Sequence, residues 1–411
     1  MLGKIAWRNL WRNKTRTFIV ISAIAFSYGL MLVMFGVADD SYAEMEDAVV
    51  AAVGGHVLVH GEGYWDFPTG GQKIDDVAQR RRQIEEVPGV DAVAQRVMAF
   101  GLLGTAASNE GVQILGVDAD DEVPFDDLYG DVVEGEVFGG ERDNPIVIGR
   151  DLAEDLGVGI GDRLVLTASD IDGEVTRGLF WVDGILRATP GQTGEGRAYV
   201  QFDELQDLLA YGDGATQLGV RLQDDGMRTR VARDLRTEFD GAGLEVLTWD
   251  EAVPEFAALI EFDELFTYFY MFIIVFIVAL GITNTFLMAV MERIREIGLL
   301  SALGLTPRRI GTMILLETAI LTIVGMAIGL GLGLAGHFWM ATHGIDLSAV
   351  ADIDMEIAGL SLDMMVIHSH IVPVRWIGGS VAIFIVIVLS AIYPAWKATK
   401  MAPSEAMRFY E

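Results

Sequence analysis

The sequence predicts a membrane protein with four transmembrane α-helices and a large α+β extracytoplasmic domain between helices 1 and 2. Three observations predict it. Four apolar blocks each reach the ~20 residues that a helix rising ~1.5 Å per residue needs to cross a ~30 Å hydrocarbon core. The chain between them is rich in Asp, Glu and Gly and alternates short strand-like and helix-like patterns. Lys and Arg collect in alternate connecting segments, as the positive-inside rule requires.

The elements follow in order. Residues 1–16 carry Lys4, Arg8, Arg12, Lys14 and Arg16 and no acid, and read as a cytoplasmic amphipathic helix. The first span, 17–38, holds no charge. A basic start before an apolar stretch also fits a secretory signal. This stretch exceeds the ~7–15 residues of a signal core and lacks a small-x-small cleavage site, so a retained helix is expected. The remaining spans are placed at 266–290, 312–336 and 376–396. Arg293, Arg295, Arg308 and Arg309 lie between spans two and three, and Lys397, Lys400 and Arg408 follow span four. Residues 39–265 hold 16 basic residues against 49 acids. Both termini, the 291–311 connection and the 397–411 tail are therefore expected in the cytoplasm, with 39–265 and 337–375 outside. The absence of cysteine removes any disulfide framework or thiolate metal site. The net charge of −30 argues against nucleic acid as a partner.

Within 39–265, strands are expected at 56–60, 218–222 and 244–247, with helices at 77–86 and 227–239. Two β-α-β units thus bracket the domain, at 39–103 and 196–265. The middle, 104–195, reads as mostly β with one helix: a strand at 145–149, the helix 150–156 and a strand at 163–167. Gly157-Val158-Gly159-Ile160-Gly161-Asp162 lies between helix and strand, the reverse of the order that cradles a pyrophosphate. The stretches 41–53 and 251–269 continue spans one and two as helices, a stalk able to carry motion. Met45, Val49, Phe256, Leu259, Phe262 and Phe266 place apolar surface there, either as a substrate-facing stripe or as plain helix packing.

Several polar groups have two readings. Glu317, about one turn inside span three, is either a contact to a neighbouring helix or an interfacial residue bonded to the loop. His56 and His60 share one face of a strand and fit a half-exposed strand better than a metal site, and the same holds for His368 and His370. Asp118, Asp120, Asp121 and Glu122 lack the spacing of a calcium loop and read as a solvated acidic run. Gly325, Gly329 and Gly333 form a small-xxx-small stripe, suited to close helix packing either within the chain or at a dimer interface. No metal site is expected.

The segment 291–310 is the most informative. Ile294, Ile297, Leu300 and Leu303 recur at helical spacing, with Glu292, Arg293, Arg295 and Glu296 on the other faces. Gly304 ends this short helix and Pro307 opens the next. The pattern Glu292-Arg293-x-Arg295-Glu296-Ile297-Gly298-Leu299-Leu300-x-Ala302-Leu303-Gly304-x-Thr306 resembles the coupling helix of the MacB/FtsX-type ABC permeases. Residues 6–14, 148–162, 393–398 and 403–406 resemble that family's N-terminal helix, outer-domain signature and C-terminal end. Residues 54–60 with Gly63-Tyr64-Trp65 most resemble its lipoprotein-release, LolC/LolE-like branch. The resemblance implies a periplasmic, MacB-like domain with porter-like parts and an inserted subdomain. It also implies a bacterial inner membrane and a second permease chain, identical or related. A separate ABC ATPase subunit would bind ATP and magnesium, so that this chain holds no cofactor and catalyses nothing itself. No Gly-x-x-x-x-Gly-Lys-Ser/Thr occurs in the 411 residues, consistent with ATP binding elsewhere. The function implied is mechanotransmission: hydrolysis in the partner moves the outer domain. Lipoprotein release, with membrane lipid, a lipoprotein and a periplasmic carrier or adaptor as further partners, is the preferred form. Efflux of small molecules or peptides with an adaptor, regulation of a cell-wall hydrolase, and a sensor without an ATPase are the alternatives.

Overall fold

The computed structural model describes residues 14–68, 71–126, 128–140, 142–187, 196–303, 305–346, 356–357, 360–361 and 366–400. The expected N-terminal helix up to residue 13, Gly304 and the tail beyond 400 lie outside the described residues. In chain order, helix α1 (Lys14–Val53) is followed by β1 (Val57–Gly61), α2 (Val77–Glu85), β2 (Val90–Gly104) and β3 (Asn109–Val117). Next come α3 (Ala119–Glu122), β4 (Val132–Gly135), β5 (Pro145–Gly149), α4 (Arg150–Leu156), β6 (Arg163–Ser169) and β7 (Val175–Leu186). Then follow β8 (Gly196–Gln201), α5 (Phe202–Leu208), β9 (Gln217–Leu222), α6 (Arg228–Glu238), β10 (Leu244–Thr248) and α7 (Trp249–Ala252). The last helices are α8 (Pro254–Glu292), α9 (Ile294–Ala302), α10 (Pro307–His343), α11 (Pro373–Ser390) and α12 (Ile392–Lys400). The chain divides into a helical unit and a second unit formed by Met45–Leu259 with Asp352–Asp363.

In the helical unit, four helices are long and apolar enough to cross a membrane. As the stalk reading expects, α1 and α8 each extend as helix well past their apolar cores. The glycine stripe of α10 packs against α1, within the chain. A Cβ on Gly329 would lie 2.6 Å from the Ala25 carbonyl oxygen, and one on Gly325 2.8 Å from Ile24. Small residues bring the backbones together where side chains would hold them apart.

The fourth span corrects one expectation. It is not one helix over 376–396 but α11 and α12, interrupted at Ala391. Pro394 is the cause: it has no N–H for the Ser390 carbonyl, and its ring crowds that oxygen. The freed Ser390 oxygen lies 3.1 Å from the Thr283 hydroxyl of α8, which also sits 2.8 Å from Ala279 O.

The second unit is built on one ten-stranded sheet, ordered β10-β1-β9-β2-β3-β8-β5-β7-β4, with β6 joining β2 to β7. The pairings β2–β3, β3–β8, β8–β5, β5–β7, β7–β6 and β6–β2 close a six-strand circuit, which leaves those strands no open edge. The 15-residue β2 is a single strand. Its first half pairs with β9 and its second with β3 and β6, so the boundary placed at 103/104 falls at the end of a strand shared by both parts. Val57, Val59, Val97, Ile114, Ile146, Leu164, Val200 and Leu218 fill the core. The middle holds two short helices, α3 and α4, rather than one.

Two further expectations are corrected in this unit. His56 and His60 are not on a half-exposed strand: β1 is paired on both edges, and the two residues are 6% and 0% exposed. His60 Nδ1 lies 3.0 Å from Thr216 O, and its ring stacks on Tyr64. Burial pushes this imidazole down to about 4. The acidic run is not merely solvated. Asp118 caps α3 by accepting the Asp120 N–H at 3.0 Å, Asp121 pairs with Arg81, and the buried Glu122 pairs with the buried Arg96. Arg96 also donates to Gly54 O at the end of α1. Gly54 sits at φ 95°, and a Cβ there would collide with the guanidinium, so glycine is needed on both counts.

Candidate functional site

The site singled out by its sequence is the α9 region. α8 ends at Glu292, α9 begins at Ile294, and Arg293 occupies the break. Ile294 and Ile297 are buried, and Ile297 packs with Val290, Ile310, Ile314, Ala395 and Ala398 from α8, α10 and α12. The expected stripe does not run its full length. Leu303 lies past the end of α9 and is 73% exposed, and Leu299 is 58% exposed. α9 is thus anchored by its first turn, while its later turn offers two leucines one turn apart to the outside. Glu292, Arg295 and Glu296 are also exposed. Leu300 lies on the same helix. Thr306 and Pro307 start α10 as expected, with Pro at its first position.

Glu317 meets the break between α8 and α9. Its carboxylate, 6% exposed, accepts from Arg293 Nη1 at 3.2 and 3.4 Å. Arg293 Nε lies 3.7 Å from Glu296. Together they line a groove of about 280 Å³ with Phe286, Leu299 and Met313. A carboxylate in an apolar span is costly unless paired, and Arg is the cation whose planar fork suits such pairing. The pair ties the break between α8 and α9 directly to α10. Displacing α9 therefore loads α10 through an ion pair as well as through the isoleucines.

The expected substrate-facing stripe divides. Val49 and Phe256 are buried, 2% and 8% exposed, and their side chains are spent on packing. Leu259, Phe262 and Phe266 are exposed by 40%, 58% and 38%, and Met45 is half-buried. The rings of Phe262 and Phe266 sit 4.7 Å apart, followed by Tyr270 at 6.1 Å. α8 is the least covered of the four membrane helices, with 17% of its apolar window buried against 44% for α1 and α10.

One cluster was missed in the sequence. Arg375 of α11 pairs with Asp39 of α1 and, at 2.6 Å, with Glu264 of α8, and lies over the Tyr42 ring. Tyr42 in turn donates to Asp263 at 3.0 Å. Three helices are thereby joined beyond their apolar cores. The available signal was that Arg375 is the only Lys or Arg in 337–375.

Comparison with known proteins bears on this arrangement. Residues 17–238 match the MacB-like periplasmic core domain, and residues 268–403 match the FtsX-like permease C-terminal family. The chain is similar to the lipoprotein-releasing system transmembrane protein LolC of Neisseria meningitidis, 23% identical over 96% of this chain and 94% of that protein. It is also similar to LolE of Haemophilus influenzae, 21% identical over 98% of each. LolC of Xylella fastidiosa is 22% identical over 64% of this chain and 64% of that protein, so the match spans a little under two thirds of that relative's length. An outer domain after the first span and an anchored short helix between the second and third are accounted for together: the chain belongs to the MacB/FtsX-type family of ABC transporter permeases.

Proposed function

We propose that this chain is the permease subunit through which a separate ATPase drives movement of the extracytoplasmic domain, and that the movement releases lipoproteins from a bacterial inner membrane. The observation that carries the mechanical part is the division of α9. Ile297 and the Arg293–Glu317 pair fix it to the spans, while Arg295, Leu299 and Leu303 are exposed at the surface where a partner's cleft would meet it. ATP and its magnesium are held by that partner, and this chain contributes no catalytic group. The basic flanks support a cytoplasmic position for α9 and both termini. The sparsely covered aromatic face of α8 suits a second permease chain or the acyl chains of a lipidated cargo. The lipoprotein assignment is supported by similarity to LolC and LolE along nearly the whole chain.

The test is purification of the native complex, reconstitution in proteoliposomes, and measurement of ATP-dependent transfer of a lipidated protein to a soluble carrier. Co-purification of an ATPase and transfer that stops with Arg295→Glu are expected. An intact permease that binds no ATPase would overturn the reading. ATPase coupling without lipoprotein transfer would leave the mechanical part standing and reject the cargo.

A further inference from the structure

We propose that Asp40, Glu44 and His368 form a binding site for one divalent transition-metal ion of the zinc class. The donors come from two elements. Asp40 and Glu44 lie one turn apart on α1, and His368 lies 328 positions from Asp40 in the sequence, in the segment leading into α11. One ligand atom from each lies within 4.8 Å of the other two, and all three residues are half-buried. Among the described residues this is the one place where three such side chains converge so closely.

Carboxylates four apart on a helix repel each other, and a cation between them removes that cost. The chain's own Arg375 is engaged with Asp39 and Glu264. Among the described residues, Asp40 makes no ion pair and accepts one hydrogen bond, from the His368 N–H at 2.9 Å. The histidine is also held in place by its neighbours. The Ser369 hydroxyl lies 2.8 Å from His337 Nδ1, and His370 N donates to Gly36 O at 2.9 Å. Three successive residues are therefore pinned, which preorganises the imidazole toward the acids. One nitrogen and two carboxylate oxygens suit zinc or manganese, and partial exposure leaves room for water to complete the shell. The two acids supply the charge that balances a divalent ion. Once bound, it would fasten the segment before α11 to α1 by side chains as well as by backbone.

The experiment uses the full chain, tag-free, chelator-treated and in detergent, titrated with zinc chloride and manganese chloride by calorimetry, with metal content measured after desalting. One zinc per chain that survives desalting is expected, with weaker manganese binding. His368→Ala keeps the backbone N–H that bonds Asp40, so the segment retains its contact while affinity falls by roughly 10–100-fold. Glu44→Gln is expected to do the same, and His343→Ala, an exposed histidine elsewhere, to change nothing. Substoichiometric binding in the wild type, or equal binding in His368→Ala and Glu44→Gln, would mean an adventitious ion only and would overturn the proposal.

Discussion

Replacing Glu317 by Gln removes the charge from the Arg293–Glu317 pair while preserving the shape of the side chain. The two side chains are 14% and 8% exposed and 3.2 Å apart. At an effective dielectric of ~20, unit charges at that distance attract by roughly 5 kcal/mol. Desolvation of both groups offsets much of this, and the net coupling that survives is about 1–3 kcal/mol. As a difference between coupled and uncoupled states, that is roughly a 5–150-fold effect. The assay is ATP hydrolysed per lipidated protein released in the reconstituted complex. Glu317→Gln should raise that ratio about tenfold, by loosening α10 from α9 while the ATPase still docks. Arg293→Ala should be more severe than Glu317→Gln, because it removes the cation that both Glu317 and Glu296 face, at 3.2 and 3.7 Å. The exchange Arg293→Glu with Glu317→Arg should recover part of the coupling. If Glu317→Gln inserts normally and couples as the wild type does, or if the exchange is no better than either single change, the ion pair does not transmit load.

Three further outcomes follow from the same structure. Gly329→Val should push α1 from α10 and cost about 1–3 kcal/mol by overpacking, seen as a lower melting temperature in detergent, whereas Gly331→Val, with nothing within 4 Å, should not. Arg375→Gln should leave the buried Asp39 carboxylate unpaired and destabilise the helical unit by on the order of 3 kcal/mol, read as a lower melting temperature that Arg375→Lys partly restores. His60 is held near 4 in the folded chain against 6.5 unfolded, so the folded state binds fewer protons between those values. Its contribution is whole above pH 6.5 and fades as pH falls toward 4. The melting-temperature gap between wild type and His60→Gln should therefore narrow across that window, and a constant gap would contradict it.

The spans were legible because a bilayer accepts few solutions: a long uncharged run must be helical, and length alone reports it. The α9 region was legible for a related reason, since residues near in sequence share a helix face. Its anchoring was only half readable. Ile294 and Ile297 are buried, but Leu303, on the same stripe, falls beyond the helix end and is exposed. Val49 and Phe256 looked like substrate surface because an apolar side chain reads alike whether it meets a ligand or a core. The strands at β1, β9 and β10 were also placed by pattern, yet the pattern is silent on which strands pair, so the six-strand circuit and the burial of His56 and His60 could not be read from it.

By itself, then, the sequence determined what depends on local composition: four apolar crossings, the sign of charge in each connection, and the short helix between spans two and three. Only the tertiary structure decided what depends on distant residues meeting. Arg293 finds Glu317 in the next helix, Arg375 joins Asp39 and Glu264, and His368 comes to Asp40 across most of the chain. The physical reason is range. Hydrophobic transfer and backbone hydrogen bonding act residue by residue and leave a periodic trace, whereas an ion pair or a ligand set acts only within a few ångströms, and those separations exist only after the chain has folded.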